Sequence, residues 1–200
     1  MKTLTHALLS LLFLTSCSHI NNKPSSSGTF RDERDGQTYK WVRIRHQIWM
    51  AQNLNYETTT GCWSYNNAKH NRAIYGLLYD FSVVKAACPK GWHIPSEEEW
   101  QELEVAVGMS KDEASATGMY RGSIAGNLIL GGSSGFEVRF GGKHGPGGFS
   151  EIGERANIWS STRIRNPIYT RIFSIGEKRV GRNAIGTAYG LSIRCIKDSE

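Results

Sequence analysis

His93, Glu97, Glu98 and Cys62 are the side chains of this 200-residue chain whose types could supply an acid, a base and a nucleophile. Brought together, such groups move protons and attack carbonyl carbons. Their spacing argues against it. None has a partner at a diagnostic interval, and His46, His70 and His144 stand in separate loops. Glu97, Glu98 and Glu99 follow Ser96, and Ser96 with Glu99 forms a capping box, the two side chains satisfying orphan amides at a helix start. The three carboxylates also sit at the positive end of the helix dipole. Trp100, Leu103 and Val107 then recur as a buried stripe. A capped amphipathic helix accounts for these residues, so no catalytic residue, cofactor or enzyme activity is expected. Zinc is not expected either, since no CxxC or HxxxH spacing occurs.

The cysteines suggest a different chemistry. Phe81, Val84 and Cys88 fall on one face of a short helix that Pro89 and Gly91 end. Tyr189, Leu191, Ile193 and Cys195 share one face of a final strand, Tyr189 to Lys197. Both thiols therefore point into the core, and the reading is a Cys88–Cys195 bridge in an exported α+β domain. Cys62 is left over. It reads first as a buried, inert thiol, with an intermolecular link or a redox site as alternatives.

Compartment follows from the N-terminus. Lys2, an apolar run from Ala7 to Leu14 and then Leu14-Thr-Ser-Cys17 describe a secretory signal. The run is too short to cross a bilayer, which takes roughly 20 apolar residues. It resembles the bacterial lipoprotein signal, which implies a lipidated Cys17 at the mature N-terminus and a membrane partner reached through that lipid. The expected organisation is a signal peptide over 1–16, lipidated cysteine and flexible tether over 17–29, and one domain over 30–198. Ser18 gives no inner-membrane retention cue, so the expected address is the cell envelope, at the outer membrane. The formal charge is +6. Outside the cytosol that favours acidic polysaccharides or anionic lipids and not nucleic acid.

Several elements must position these groups. Thr38 to Ile44 and Gln47 to Ala51 read as strands joined at Arg45-His46, a hairpin turn without its usual Gly or Asn. Thr58 to Asn71 reads as irregular, and Gly108 to Gly148 as long surface loops around a short strand, Phe136 to Phe140. Asn157 to Thr162, Ile168 to Ile175 and Lys178 to Arg182 are further strands. Arg155, Arg163, Arg165, Arg171, Lys178, Arg179 and Arg182 make a basic stretch opposed only by Glu177. It reads first as a solvated sheet edge that discourages aggregation. The alternative is a ligand face of Arg163, Arg165, Tyr169, Arg171 and Phe173, where rings beside guanidinium groups suit sugars or acidic glycans.

Phe30 to Tyr39, Ile48-Trp-Met-Ala-Gln-Asn-Leu-Asn-Tyr56, Tyr75 to Tyr79, Cys88-Pro-Lys-Gly-Trp-His-Ile-Pro-Ser-Glu-Glu-Glu-Trp100, Trp159-Ser-Ser-Thr162 and Gly190-Leu-Ser-Ile-Arg-Cys195 together resemble the Fibrobacter succinogenes major paralogous domain. The resemblance implies a relative of the C-type lectin-like fold: two helices packed beside antiparallel sheets, with a helix-to-last-strand disulfide. It implies exported or lipid-anchored proteins with no established activity. Members commonly carry Gly-Asn where Arg45-His46 stand, and many have a cysteine near Arg72 that would pair with Cys62. The block from Trp92 to Trp100 is also similar to formylglycine-generating enzymes, but their late reactive cysteine pair has no counterpart beside Cys195. Trp159-Ser-Ser-Thr162 lacks the carboxylate of calcium-dependent lectins. The functional expectation is a non-catalytic, lipid-anchored module binding an anionic glycan or another envelope component. A structural role docking an envelope protein is the alternative, and an enzyme the remaining one.

Overall fold

The computed structural model describes residue 24, residues 26–116 and residues 118–199. The signal peptide and Cys17 lie outside the described residues. In the first half, strands β1 (Ser26–Arg31), β2 (Thr38–Ile44), β3 (Gln47–Met50) and β4 (Cys62–Trp63) precede helix α1 (Lys69–Tyr75). Then come β5 (Leu78–Asp80), α2 (Phe81–Ala87), β6 (Trp92–His93) and α3 (Glu97–Ala106). The second half holds α4 (Lys111–Ser115), β7 (Tyr120–Arg121), α5 (Ala125–Leu128), β8 (Gly141–Gly145) and β9 (Gly148–Ile152). Strands β10 (Arg155–Arg163), β11 (Ile168–Ser174), β12 (Val180–Ile185), β13 (Gly190–Ser192) and β14 (Ile196–Lys197) complete it. The molecule is thus mixed helix and sheet, with more strand than helix. No described helix is long and apolar enough to cross a membrane.

Two sheets form. A five-stranded sheet runs β1-β2-β3-β14-β6, and a nine-stranded sheet runs β4-β5-β13-β8-β10-β11-β12-β7 with β9 on β8. The β2–β3 hairpin closes with Ile44 opposite Gln47, and Arg45 takes φ 53°, the left-handed turn conformation that Gly or Asn more often supplies. The expected all-antiparallel pairing holds in the first sheet. In the second, β10 runs parallel to β8 and to β13, because those strands come from distant parts of the chain and not from hairpins with β10.

The single expected C-terminal strand is split. β13 belongs to the large sheet and β14 lies inside the small one, so residues 193–195 bridge the two. Ile193 and Cys195 still accept amides from Leu54 and Met50 at 2.8 and 3.0 Å, which keeps the bridging backbone satisfied. Leu191, Ile193 and Cys195 enter one core cluster with Tyr79, Phe81 and Trp159. Trp49, Trp100, Leu103, Phe136 and Phe173 form the other. Burying each such side chain contributes roughly 1.5–3 kcal/mol.

The Cys88–Cys195 bridge is formed and closes a separation of 107 residues. Cys88 caps α2 as expected. A second tie to that helix end comes from Arg34, which donates Nη2 to the Ala87 carbonyl at 2.9 Å while Asp32 takes the same nitrogen at 2.7 Å. A guanidinium there satisfies orphan carbonyls at the negative end of the dipole.

Four expectations are corrected. Ser26 to Gly28, placed in the tether, open β1 and pair with Arg43 to Trp41. Thr58 to Asn71 contains β4 and the start of α1, and three short helices join the two expected. Phe136 to Phe140 is not a strand; only an isolated bridge, Ile129 to Val138, forms there. The glycine-rich stretch is no surface loop, since Met109, Ile124, Leu128, Phe136 and Val138 are buried in it. Its glycines admit close neighbours. A Cβ on Gly142 would meet the Ser150 carbonyl at 2.4 Å and the Tyr65 ring at 2.9 Å, and one on Gly145 would meet Tyr189 at 2.8 Å.

Candidate functional site

Ser96 opens α3 through the capping box foreseen, accepting from Glu99 N at 3.2 Å while Glu99 Oε2 accepts from Ser96 N at 2.7 Å. The carboxylates then diverge in role. Glu97, on the buried side, receives Arg171 Nη1 and Nη2 at 2.7 and 3.0 Å and Arg182 Nη1 at 3.1 Å. Two helical turns further, Glu104 receives Arg171 Nε at 2.6 Å and Arg121 Nη2 at 3.0 Å. Burial opposes ionisation of Glu97, but the hydrogen bonds and charge of Arg171, with Gln101 and Arg182, outweigh it and hold the carboxyl below its usual range. A bidentate Arg–carboxylate pair is the strongest ion-pair geometry. Capping alone therefore does not explain Glu97; it anchors α3 to the large sheet.

Glu99 reaches back to His93. Its Oε1 lies 2.8 Å from His93 Nε2, and Asp198 Oδ1 lies 2.6 Å from Nδ1. Burial works against charge on this imidazole, yet the hydrogen bonds to Asp198 and Glu99 raise it above the ordinary histidine range. Both ring nitrogens are engaged by carboxylates, so His93 links β6 to α3 and to Asp198. Glu98 is exposed. Cys62 is half-buried, 3.6 Å from the Thr58 carbonyl and opposite Tyr79 in the sheet, and is the one unbridged cysteine among the described residues. The structure does not bring His93, Glu97, Glu98 and Cys62 together. No group of three or more metal-ligating side chains occurs among the described residues.

The expected ligand face is corrected. Tyr169, Arg171 and Phe173 do alternate along β11, but the face is turned inward against α3. Arg171 and Phe173 are each 0% exposed. The guanidinium of Arg171 lies 5.7 Å from the Trp100 ring. Tyr169 is half-buried under Arg182, 5.4 Å from ring centre to guanidinium. Arg163 and Arg165 remain exposed at the β10–β11 turn, Arg163 resting 4.6 Å over Phe81. β10 reaches Arg163 because a bulge between Trp159 and Arg163 shifts its register against β11, separating the arginine from buried Trp159. Elsewhere in the basic stretch Arg155 pairs with Glu151 and Arg179 with Glu177.

A groove of about 540 Å³ opens between the Arg45-His46 turn, α3 and α4. Ile44, Val105, Ala106 and Ala114 give it an apolar floor, with His46, Glu98, Glu102 and Lys111 at its rim. The sequence pattern alone does not reveal this groove, because the glycine-rich stretch that contains α4 reads as loop. Its signal was present: Ser110 and Glu113 repeat the capping box of α3.

One antiparallel sheet and one mixed sheet are thus joined through the segment that carries Cys195, and α3 is pinned to the larger sheet by ion pairs. The family model of the Fibrobacter succinogenes major domain matches residues 42–197, and the chain belongs to that family. No curated protein matches it. No solved structure matches it either.

Proposed function

We propose that this chain is a non-catalytic, lipid-anchored binding module of the cell envelope, with a C-type lectin-like body that takes an acidic glycan. The observation that carries this reading is where the charges go. Glu97 and Glu104 are held by arginines and His93 by Glu99 and Asp198, while Glu98 stands exposed and apart from them. Arg45 and Arg165 are exposed with no carboxylate partner among the described residues. Guanidinium groups at a surface, on a chain of charge +6, favour anionic ligands. The Cys88–Cys195 bridge and the helix pair α2 and α3 support the lectin-like comparison.

The test is an array of acidic and neutral glycans probed with the mature chain. Binding confined to acidic glycans, weakened by salt and by Arg163→Ala with Arg165→Ala, is expected. Binding indifferent to both changes removes the assignment of that turn. Anchoring is tested separately: Cys17→Ala should move the protein out of the membrane fraction or block its processing. An unchanged membrane fraction contradicts the lipid.

The apolar floor of the 540 Å³ groove favours a second reading, docking of an envelope protein. Crosslinking in intact envelopes would then yield one stoichiometric partner, lost on Val105→Arg.

A further inference from the structure

A smaller cleft, about 70 Å³, lies where the start of β2, the residues after β3 and the end of α1 meet Arg139. Two guanidinium groups line it, Arg72 and Arg139, and no carboxylate does among the described residues. Arg72 is fixed, donating to Asn55 Oδ1 at 2.8 Å and Glu57 Oε2 at 2.6 Å. Arg139 differs. It is half-buried, and its guanidinium has no hydrogen bond or ion pair among the described residues. The other half-buried arginines are engaged, Arg72 and Arg182 by carboxylates and Arg43 by a contact of its own.

Behind the cleft wall stands a second cation. Asn53 lines the cleft, and its Oδ1 accepts Arg194 Nη2 at 2.7 Å. Arg194 is 0% exposed, and its other acceptors are the neutral carbonyls of Met50, Phe136 and Glu137, with Nε left unpartnered. Burial pushes Arg194 down to about 9; Glu137 opposes the fall and the like charge of Arg139 adds to it. A buried guanidinium whose acceptors are all neutral and a half-buried one with no acceptor are costly, and an anion in the cleft compensates them. Gln52 adds a donor: its Oε1 accepts Lys40 N at 2.8 Å, which leaves the amide Nε2 free to donate. The volume admits a carboxylate or sulfate group and not a sugar ring.

We propose that Arg139 and Gln52 Nε2 form a subsite for one oxyanion group, a carboxylate or sulfate, carried by an acidic saccharide whose ring stays outside the cleft. This rests on the binding reading above and gives it a residue. Arginine side-chain NMR on the mature chain, titrated at constant ionic strength with glucuronate, inorganic sulfate and glucose, tests it. Glucuronate and sulfate should shift the Arg139 Nε–H resonance saturably, and glucose should not. Arg139→Gln should weaken glucuronate binding by at least about tenfold with an unchanged melting temperature, and Arg179→Gln, at an exposed residue paired with Glu177, should leave it unchanged. No saturable shift at Arg139, or equal binding by Arg139→Gln, overturns the subsite. So does a response to sulfate without glucuronate, which marks an adventitious ion only. Acidic-glycan retention lost with Arg163→Ala and Arg165→Ala but kept in Arg139→Gln overturns the subsite alone. Retention of no acidic glycan by the unaltered chain overturns the binding reading itself.

Discussion

Arg171 sits at the crossing of α3 and β11 with its guanidinium shared between Glu97 and Glu104. Such pairs contribute little net energy over apolar residues of the same volume, but losing one partner strands a buried charge. Arg171→Met should therefore cost about 3–5 kcal/mol in denaturant unfolding. Arg165→Ala, at an exposed turn, should stay within about 0.5 kcal/mol. Equal midpoints for the two variants contradict the assignment. His93 carries a pH term of definite sign. Its folded-state proton affinity is raised, so its contribution is complete below the unfolded value near 6.5 and is lost as pH rises through the folded one. Melting temperature should fall between pH 6 and pH 9 by more in the unaltered protein than in His93→Gln. A larger fall in the variant shows the opposite sign.

At the scale of elements, local patterns were legible and long-range compensation was not. The Ser96–Glu99 box and the β2–β3 hairpin depend on neighbours a few residues apart and stand as read; the Cys88–Cys195 pairing also stands, although the strand expected to carry Cys195 breaks after Ser192. Arg171 read as a surface charge because its carboxylates lie 74 and 67 residues away. The glycines of β8 read as loop because what fills their space, the β9 backbone and the Tyr65 ring at Gly142 and the Tyr189 ring at Gly145, is set by tertiary packing. A strand carrying Gly141, Gly142 and Gly145 has almost no side chain from which a period can be read. The bridge itself yields a prediction. Closing 107 residues, it stabilises by up to about 4–5 kcal/mol in the chain-entropy account. The Cys88→Ala, Cys195→Ala pair should melt about 10 °C or more lower, and reducing agent should then shift only the unaltered protein. Equal melting points would show that Arg34 and the β3–β14 pairing hold the tail unaided.

For the whole molecule, the fold explains how a basic chain keeps a stable interior while presenting cations outward. Acids on α3 neutralise Arg121, Arg171 and Arg182, and Arg45, Arg139 and Arg165 keep their charge unpaired among the described residues. The most direct measurement is retention of the mature chain on immobilised acidic and neutral polysaccharides through a salt gradient. The binding reading predicts retention on the acidic matrix that weakens steadily with salt and passage through the neutral one. Equal passage through both at low salt would contradict it.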